Sequence, residues 1–295
     1  MKQATQTRLL NRIKGRRRMN QIAKQVFFLA AIFCFIFLFL LIARVVYDGL
    51  GWISFDFLTS KLSTQVDKAG IFGAILGTLW LMAIVAPITM IIGICTAIYL
   101  ELYMKDGPFK SILQTNIANL AGVPSIVYGI LGLTVFVRFL HLGSSVLAGG
   151  LTLSLLVLPI VIVSSQEAIR TIPAHMSEGS YALGATKWQT IWNVLLPASL
   201  PGMLTGGILA VSRAIGETAP LVVLGIPALI LSYPKGILDT FTVLPMQIYY
   251  WTLDSSLTAE YANLAAATII TLLAVLLILN ASAIIIRNKF QKTNQ

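Results

Sequence analysis

An arginine and a glutamate four residues apart, Arg213 and Glu217, interrupt an otherwise apolar stretch that reads Ser212-Arg213-Ala214-Ile215-Gly216-Glu217-Thr218-Ala219-Pro220. A helix begun near Pro201 carries Arg213 about 18 Å along its axis, close to mid-bilayer. An arginine at that depth costs at least about 3 kcal/mol and must face protein or water rather than lipid. Glu217 follows one turn later on the same face and can pair with it. Two readings are open. The pair can lock its helix to neighbours, although an apolar pair would do so without the desolvation cost. Alternatively Arg213 lines the path of an anion, with Ser212 and Thr218 beside it, and Glu217 keeps binding weak enough for release.

A second group of residues has the spacing of a built element rather than a linker. Residues 167–196 lie between two apolar windows but are amphiphilic, and the pattern predicts two short helices around a glycine. Ser177 caps the first, which runs through Glu178, Tyr181, Ala182 and Leu183, and Gly184 takes the left-handed C-terminal position. Thr186 and Gln189 form a capping box for the second, whose Trp188, Ile191, Trp192 and Leu195 make one apolar stripe, and Pro197 ends the unit. By composition alone this is a helix pair lying in the headgroup region, anchored by Trp188 and Trp192.

The elements that must position these residues are membrane helices. Of 295 residues, 57% are apolar and 11% charged, with mean hydropathy +0.85, whereas a soluble domain carries about 25% charged residues. Charge-free windows at 25–43, 69–100, 111–137, 139–166, 188–212 and 261–286 can each supply the roughly 20 residues that cross a bilayer. The first window is too long for a signal-peptide core and reads as a retained helix. The stretch 218–234, short and interrupted by Pro and Gly, reads as the outer end of the fifth helix plus an irregular segment.

Charge sets the orientation. The net charge of +10 resembles that of a nucleic-acid binder, but eight of the 21 Lys and Arg fall in residues 1–24, with no acid before Asp48. That is a basic cytoplasmic tail, able to touch anionic lipid but without the aromatic interleaving of a nucleic-acid site. With the tail inside, Lys105, Lys110, Arg170, Lys187, Arg287, Lys289 and Lys292 fall inside too, while Arg44, Lys61, Lys68, Arg138 and Lys235 fall outside. Fifteen against five obeys the positive-inside rule. The expected fold is an all-α membrane protein of six transmembrane helices, both termini cytoplasmic, with the helix-Gly-helix unit between spans four and five. Its divisions are a tail at 1–24, a first transmembrane helix at 25–47, a transmembrane domain at 69–288 and the loop at 177–197 within it.

Several residues carry less. Cys34 and Cys95 lie in apolar runs, and His141 and His175 fall on opposite sides, so no metal site is expected. Ser164, Ser165 and Gln166 read as a helix end meeting water, Asn280 as an interhelical hydrogen-bond donor, and Trp52 and Trp251 as anchors at the outer interface. Glycine pairs such as Gly73/Gly77 and Gly202/Gly206 mark close helix contacts. No Gly-x4-Gly-Lys-Ser/Thr loop occurs, so the chain lacks that device for ATP.

The run Glu178, Gly179, Ser180, then Gly184, then Val194, Leu195, Leu196 and Pro197 resembles the EAA loop of ABC-importer permeases, with Gly179 and Ser180 in place of two alanines and Val194 in place of isoleucine. That resemblance implies that 178–197 docks into a groove on a separate ATPase subunit. Arg-Ala-Ile-Gly-Glu-Thr-Ala-Pro at 213–220 resembles the phosphate-specific importer, and Thr-Ala-Pro its A-type rather than its C-type permease. The similarity runs from about Leu81 to Lys289 and includes Ala121-Gly-Val-Pro-Ser-Ile-Val-Tyr-Gly and Leu279-Asn280-Ala281. It implies a non-enzymatic permease for inorganic phosphate in the cytoplasmic membrane of a bacterium. The implied partners are a C-type permease, an ATPase dimer holding ATP and Mg, and an extracytoplasmic phosphate-binding protein. The residues alone also admit a self-contained secondary anion transporter or channel using Arg213 and Glu217, or a permease for another oxyanion.

Overall fold

A computed structural model describes residues 2–230 and 233–293; the side chains of 2–15, 18 and 290–293 are outside that description. Most of the basic tail's side chains, that of Lys292, and Leu231 and Ser232 of the 218–234 stretch therefore lie outside the described residues. The only β pairing among the described residues is an isolated bridge between Ser145 and Thr240.

Helix α1 (Lys2–Gly49) joins the tail to the first apolar window without a break, and residues 1–48 form a unit of their own. Its apolar stretch is exposed on all sides, Phe27, Phe33, Phe35 and Phe39 included, the pattern of a helix whose solvent is lipid. Arg44 and Asp48 pair across one turn at 2.8 Å.

The second unit, from Gly49 onward, begins with the short α2 (Phe55–Thr59) and then four long helices interspersed with shorter ones. Helix α3 (Phe72–Ile98) is prolonged by a π-helical turn at Tyr99–Tyr103. Helix α4 (Pro108–Leu120) is followed by α5 (Ser125–Gly132), itself extended by a π-helical turn at Leu133–Phe139, and then by α6 (Val146–Arg170). After α7 (Ala174–Ala182), α8 (Lys187–Thr190) passes through a π-helical turn at Ile191–Leu195 into α9 (Leu196–Gly216). The chain ends with α10 (Ala219–Val223), α11 (Leu244–Asp254) and α12 (Glu260–Thr293).

Five stretches among the described residues are long and apolar enough to cross a membrane: Met19–Trp52, Phe72–Tyr103, Val146–Arg170, Lys187–Gly216 and Glu260–Lys289. The window at 111–137 departs from expectation. It is not one rod: Pro108–Leu120 and Ser125–Phe139 meet at 97°. The break falls at Gly122-Val123-Pro124, where proline lacks a donor and drives the preceding residue out of helical conformation. Turn bonds from Gly122 N to Asn119 O and from Val123 N to Leu120 O close the corner. Helix α4 buries none of its residues within this chain, and the bent pair makes a sixth crossing only where its two arms are counted as one span.

The core forms where α6 packs between α3 and α9, around Leu81, Val85, Leu153, Val157, Val161, Ala210 and Ala214. Apolar burial gives no net drive between helices already in lipid, so fit decides, and small residues sit where backbones approach. A Cβ on Gly77 would overlap the Thr242 carbonyl oxygen, and one on Gly206 would overlap the Ser164 hydroxyl. Ser164 therefore marks a helix crossing rather than a wet helix end.

Helix α9 ends at Gly216, so the stretch from 218 does not prolong it; it holds α10 and then an irregular strip, as its Pro and Gly content implies, with buried and exposed residues interspersed. Gly225 turns it with φ +72, and Leu224, Ile226 and Phe241 are fully enclosed. Carbonyls of Asp239 and Ile237 accept from Val146 N (3.1 Å) and Leu147 N (2.8 Å), capping the first turn of α6. Helix α11 follows, only 11 residues long. Trp251 on it is 3% exposed and packs against Phe57, so it is a core residue and not an interface anchor.

Candidate functional site

Arg213 lies in the last turn of α9, and Glu217 is the residue that ends the helix, with extended backbone at ψ 121. Arg213 Nε donates to Glu217 Oε1 at 3.3 Å. The expected pairing is present, but its place differs. The helix starts at Lys187 rather than near Pro201, because the π-helical turn at Ile191–Leu195 carries it past Pro197, whose missing N–H a widened turn tolerates. Arg213 is thus at a helix end beside the break between α9 and α10, not in mid-helix, and Pro197 does not interrupt the helix.

Burial separates the two partners. The Arg213 side chain is 48% exposed and that of Glu217 17%. Ala214 and Ile215 next to them are almost fully enclosed, which fixes the helix and points Arg213 away from this chain's own core. Ser212 turns elsewhere: its hydroxyl lies 2.7 Å from Asn280 Oδ1 on α12 and from the Ile208 carbonyl. Asn280 is therefore an interhelical partner, as an acceptor here. Thr218 is half-buried, and its carbonyl accepts from Leu221 N and Val222 N at the start of α10. A Cβ on Gly129 of α5 would meet the Pro220 backbone at 2.8 Å, so α10 rests directly on α5. Of the four predicted path residues, Arg213 and Glu217 are brought together, Thr218 adjoins them in the chain, and Ser212 belongs to the α9–α12 contact. An apolar cleft of about 220 Å³ lined by Met90, Gly207, Val211 and Asn280 does not include Arg213.

The helix-Gly-helix unit is present with one shift. Helix α7 starts at Ala174 behind Pro173, and Ser177 lies inside it, donating to the Ala174 carbonyl at 2.9 Å instead of capping. Gly184 has φ +84, and the bonds Gly184 N to Tyr181 O and Ala185 N to Ser180 O complete a Schellman closure. The Thr186/Gln189 capping box forms in full. Ser180 Oγ and Thr190 Oγ1, 2.9 Å apart, tie the two helices together.

The apolar stripe of the second helix divides by depth. Ile191 and Leu195 are buried, while Trp188 and Trp192 stack edge to face at 5.4 Å and are half exposed. At the tip Leu183 is 91% exposed, and Glu178 and Gly179 face outward with nothing within 4 Å of a Cβ placed on the glycine. Val194, Leu196 and Pro197 are half-buried where the unit merges into α9.

One residue went unnoticed in the sequence. Glu101, in the π-helical turn after α3, has a side chain only 10% exposed, and its Oε1 accepts from Gln114 Nε2 (3.1 Å), Gln166 Nε2 (2.8 Å) and Arg170 Nη2 (2.7 Å). Gln166 is consequently buried in a joint between helices and does not meet water at a helix end. The donors are 13, 65 and 69 residues away, so no local spacing could reveal them. No group of three His, Cys, Asp or Glu among the described residues is placed to hold a metal.

Comparison with known proteins agrees with this architecture. The chain is 34% identical to the phosphate transport system permease protein PstA of Mycobacterium leprae over 90% of its own length and 89% of the relative's. It is 31% identical to the probable ABC transporter permease YqgI of Bacillus subtilis over 68% of this chain and 69% of that one. In fold it matches a chain of a bacterial alginate ABC transporter solved with its pentasaccharide-bound periplasmic protein, at TM-score 0.63 and 17% identity over 90% of this chain and 93% of that one. A chain of the methionine transporter MetNI matches at TM-score 0.54 and 18% identity over 74% and 93%. Residues 89–292, which hold α6, the helix-Gly-helix unit, Arg213 and most of α12, match one family, and this multi-pass chain belongs to it: the binding-protein-dependent transport system inner membrane components.

Proposed function

We propose that the chain is the A-type permease subunit of an ATP-driven importer of inorganic phosphate, with Arg213 on the anion's path. The observation that carries the reading is the half-exposed Arg213 beside its mostly buried Glu217, on a chain alike to PstA over nine-tenths of its length. A charged group that this chain leaves uncovered near the end of a membrane helix needs protein or water over it. A second permease chain across a polar path provides both. The ion pair at 3.3 Å leaves the guanidinium's remaining N–H groups able to form the planar fork that suits an oxyanion.

The helix-Gly-helix unit, residues 174–197, is the dock for an ATPase subunit that holds ATP and Mg. Two caps, a Schellman closure and the Ser180–Thr190 contact make it stiff, and its exposed Leu183, Tyr181, Trp188 and Trp192 offer the apolar, aromatic surface that protein interfaces favour. Glu178 and Gly179 lie on its open side. An external phosphate-binding protein delivers the substrate from the other face.

Orientation follows from the charge map with both termini cytoplasmic. The ends of the 32-residue stretch Phe72–Tyr103 keep two lysines apart: Lys61 Nζ stands over Tyr233, whose ring meets Phe72, while Lys187 Nζ stands over Tyr103. A helix of that length spans about 48 Å, enough to cross the whole membrane. A cysteine at position 61 is expected to react in intact cells with an impermeant maleimide, and one at 187 only after permeabilisation. The reverse labelling would invert the topology.

The reading as a whole is tested by reconstituting the chain, with a C-type permease and ATPase subunits co-expressed with it, into vesicles holding ATP. Phosphate uptake that requires ATP and binding protein is the expected result. Uptake by this chain alone, driven by an ion gradient, would establish a secondary transporter in its place. ATP-driven uptake of another oxyanion in preference to phosphate would keep the permease and change its substrate.

A further inference from the structure

The π-helical turn Tyr99–Tyr103 holds two links to the helix-Gly-helix unit that the docking role does not explain. On the way into the unit, Arg170, the last residue of α6, donates to Glu101 at 2.7 Å and also pairs with Glu167 at 2.9 Å. Inside the unit, Lys187, the first residue of α8, places its Nζ 4.7 Å from the centre of the Tyr103 ring. Gln114 on α4 and Gln166 on α6 add their amides to the same Glu101 oxygen. The chain entering the unit and the start of the unit's second helix are thus both fastened to one turn, and that turn is the end of α3.

We infer that Glu101 and Tyr103 are positioning residues through which a displacement of the docking unit is passed to α3 and α4. Three features make the turn suitable. It is stiff toward α6, because a mostly buried carboxylate with three donors is costly to leave unmatched. It is compliant toward Lys187, because a cation over a ring half exposed to water slides at little cost. Its backbone is a π-helical turn, a wound-out segment that can rewind where an ordinary helix would resist. Gln114 extends the link to α4, the half of the bent pair that buries none of its own residues.

This inference rests on the importer reading, and its test separates the two. The complete complex is reconstituted with Glu101→Gln, which keeps an oxygen for the two glutamines but removes the charge facing Arg170, and separately with Tyr103→Leu, which removes the ring from under Lys187. Tyr103→Phe serves as the conservative rescue. Assembly, ATP hydrolysis and phosphate uptake are measured per complex. A relay role predicts normal recovery of complex with phosphate carried per ATP lowered at least about fivefold, the low end of coupling between linked sites, and restored by phenylalanine at 103. If the turn is only structural, the variants assemble poorly while the complexes that form keep the wild-type ratio, and the inference falls. It falls equally if both assemble and transport with the normal ratio. Absence of ATP-dependent uptake by the wild-type complex would instead remove the importer reading beneath it.

Discussion

Gly184→Asp is expected to abolish recovery of the ATPase subunits with the permease while leaving the amount of chain in the membrane unchanged. The backbone at 184 has φ +84, a conformation that costs roughly 1–2 kcal/mol for a residue with a Cβ. Nothing lies within 4 Å of a Cβ there, so intrinsic strain and the new charge are the whole effect. The strain acts on the Schellman closure that sets the angle between α7 and α8, and the carboxylate sits next to the exposed Leu183 that a partner must cover. Gly184→Asn, which tolerates the left-handed region best among residues with a side chain and adds no charge, should retain most of the assembly. Equal recovery of ATPase with Asp and with Gly at 184 would take the docking role away from this unit.

Arg213→Lys is expected to cost nearly all phosphate transport in a complex that still assembles and hydrolyses ATP. Lysine keeps the positive charge and can still reach Glu217, so the helix end is preserved. What it loses is the planar fork that gives an oxyanion two parallel hydrogen bonds. One charge-assisted bond of about 1.5–3 kcal/mol corresponds to roughly 10- to 150-fold in flux if it is made where passage is slowest. A lysine variant with wild-type uptake would leave Arg213 as a point charge in an ion pair. Arg213→Ala is a poorer probe, because it leaves the mostly buried Glu217 without its partner.

The parts of the fold legible in the sequence are those that the solvent itself dictates. Lipid excludes charge, so charge-free windows located all five unbroken spans, and the capping box and Gly184 were legible because caps are made by residues three or four apart. The bend at 97° was written in Gly122-Val123-Pro124, yet a count of uncharged residues runs straight through it. The start of the helix that carries Arg213 is hidden for a related reason: Pro201 looks like a helix start and Pro197 like the end of the preceding unit, and only a π-helical turn at Ile191–Leu195 lets one helix run from Lys187 to Gly216. Helix α11 is too short for any span window, although Pro245 in its first turn marks its beginning. Glu101 was illegible for a different reason. Its three donors come from α4 and α6, and tertiary proximity of that kind leaves no period in the chain.

The role of Arg213 on the anion's path is tested most directly by phosphate uptake into vesicles bearing the complete complex with Arg213→Gln and Glu217→Gln together. Removing both charges spares the helix end an unpaired group, so assembly and ATP hydrolysis should persist. Uptake reduced to a small fraction of wild type in such a complex is the predicted result. Near-normal uptake by the double variant would contradict it and leave Arg213 and Glu217 as a clamp at the end of α9.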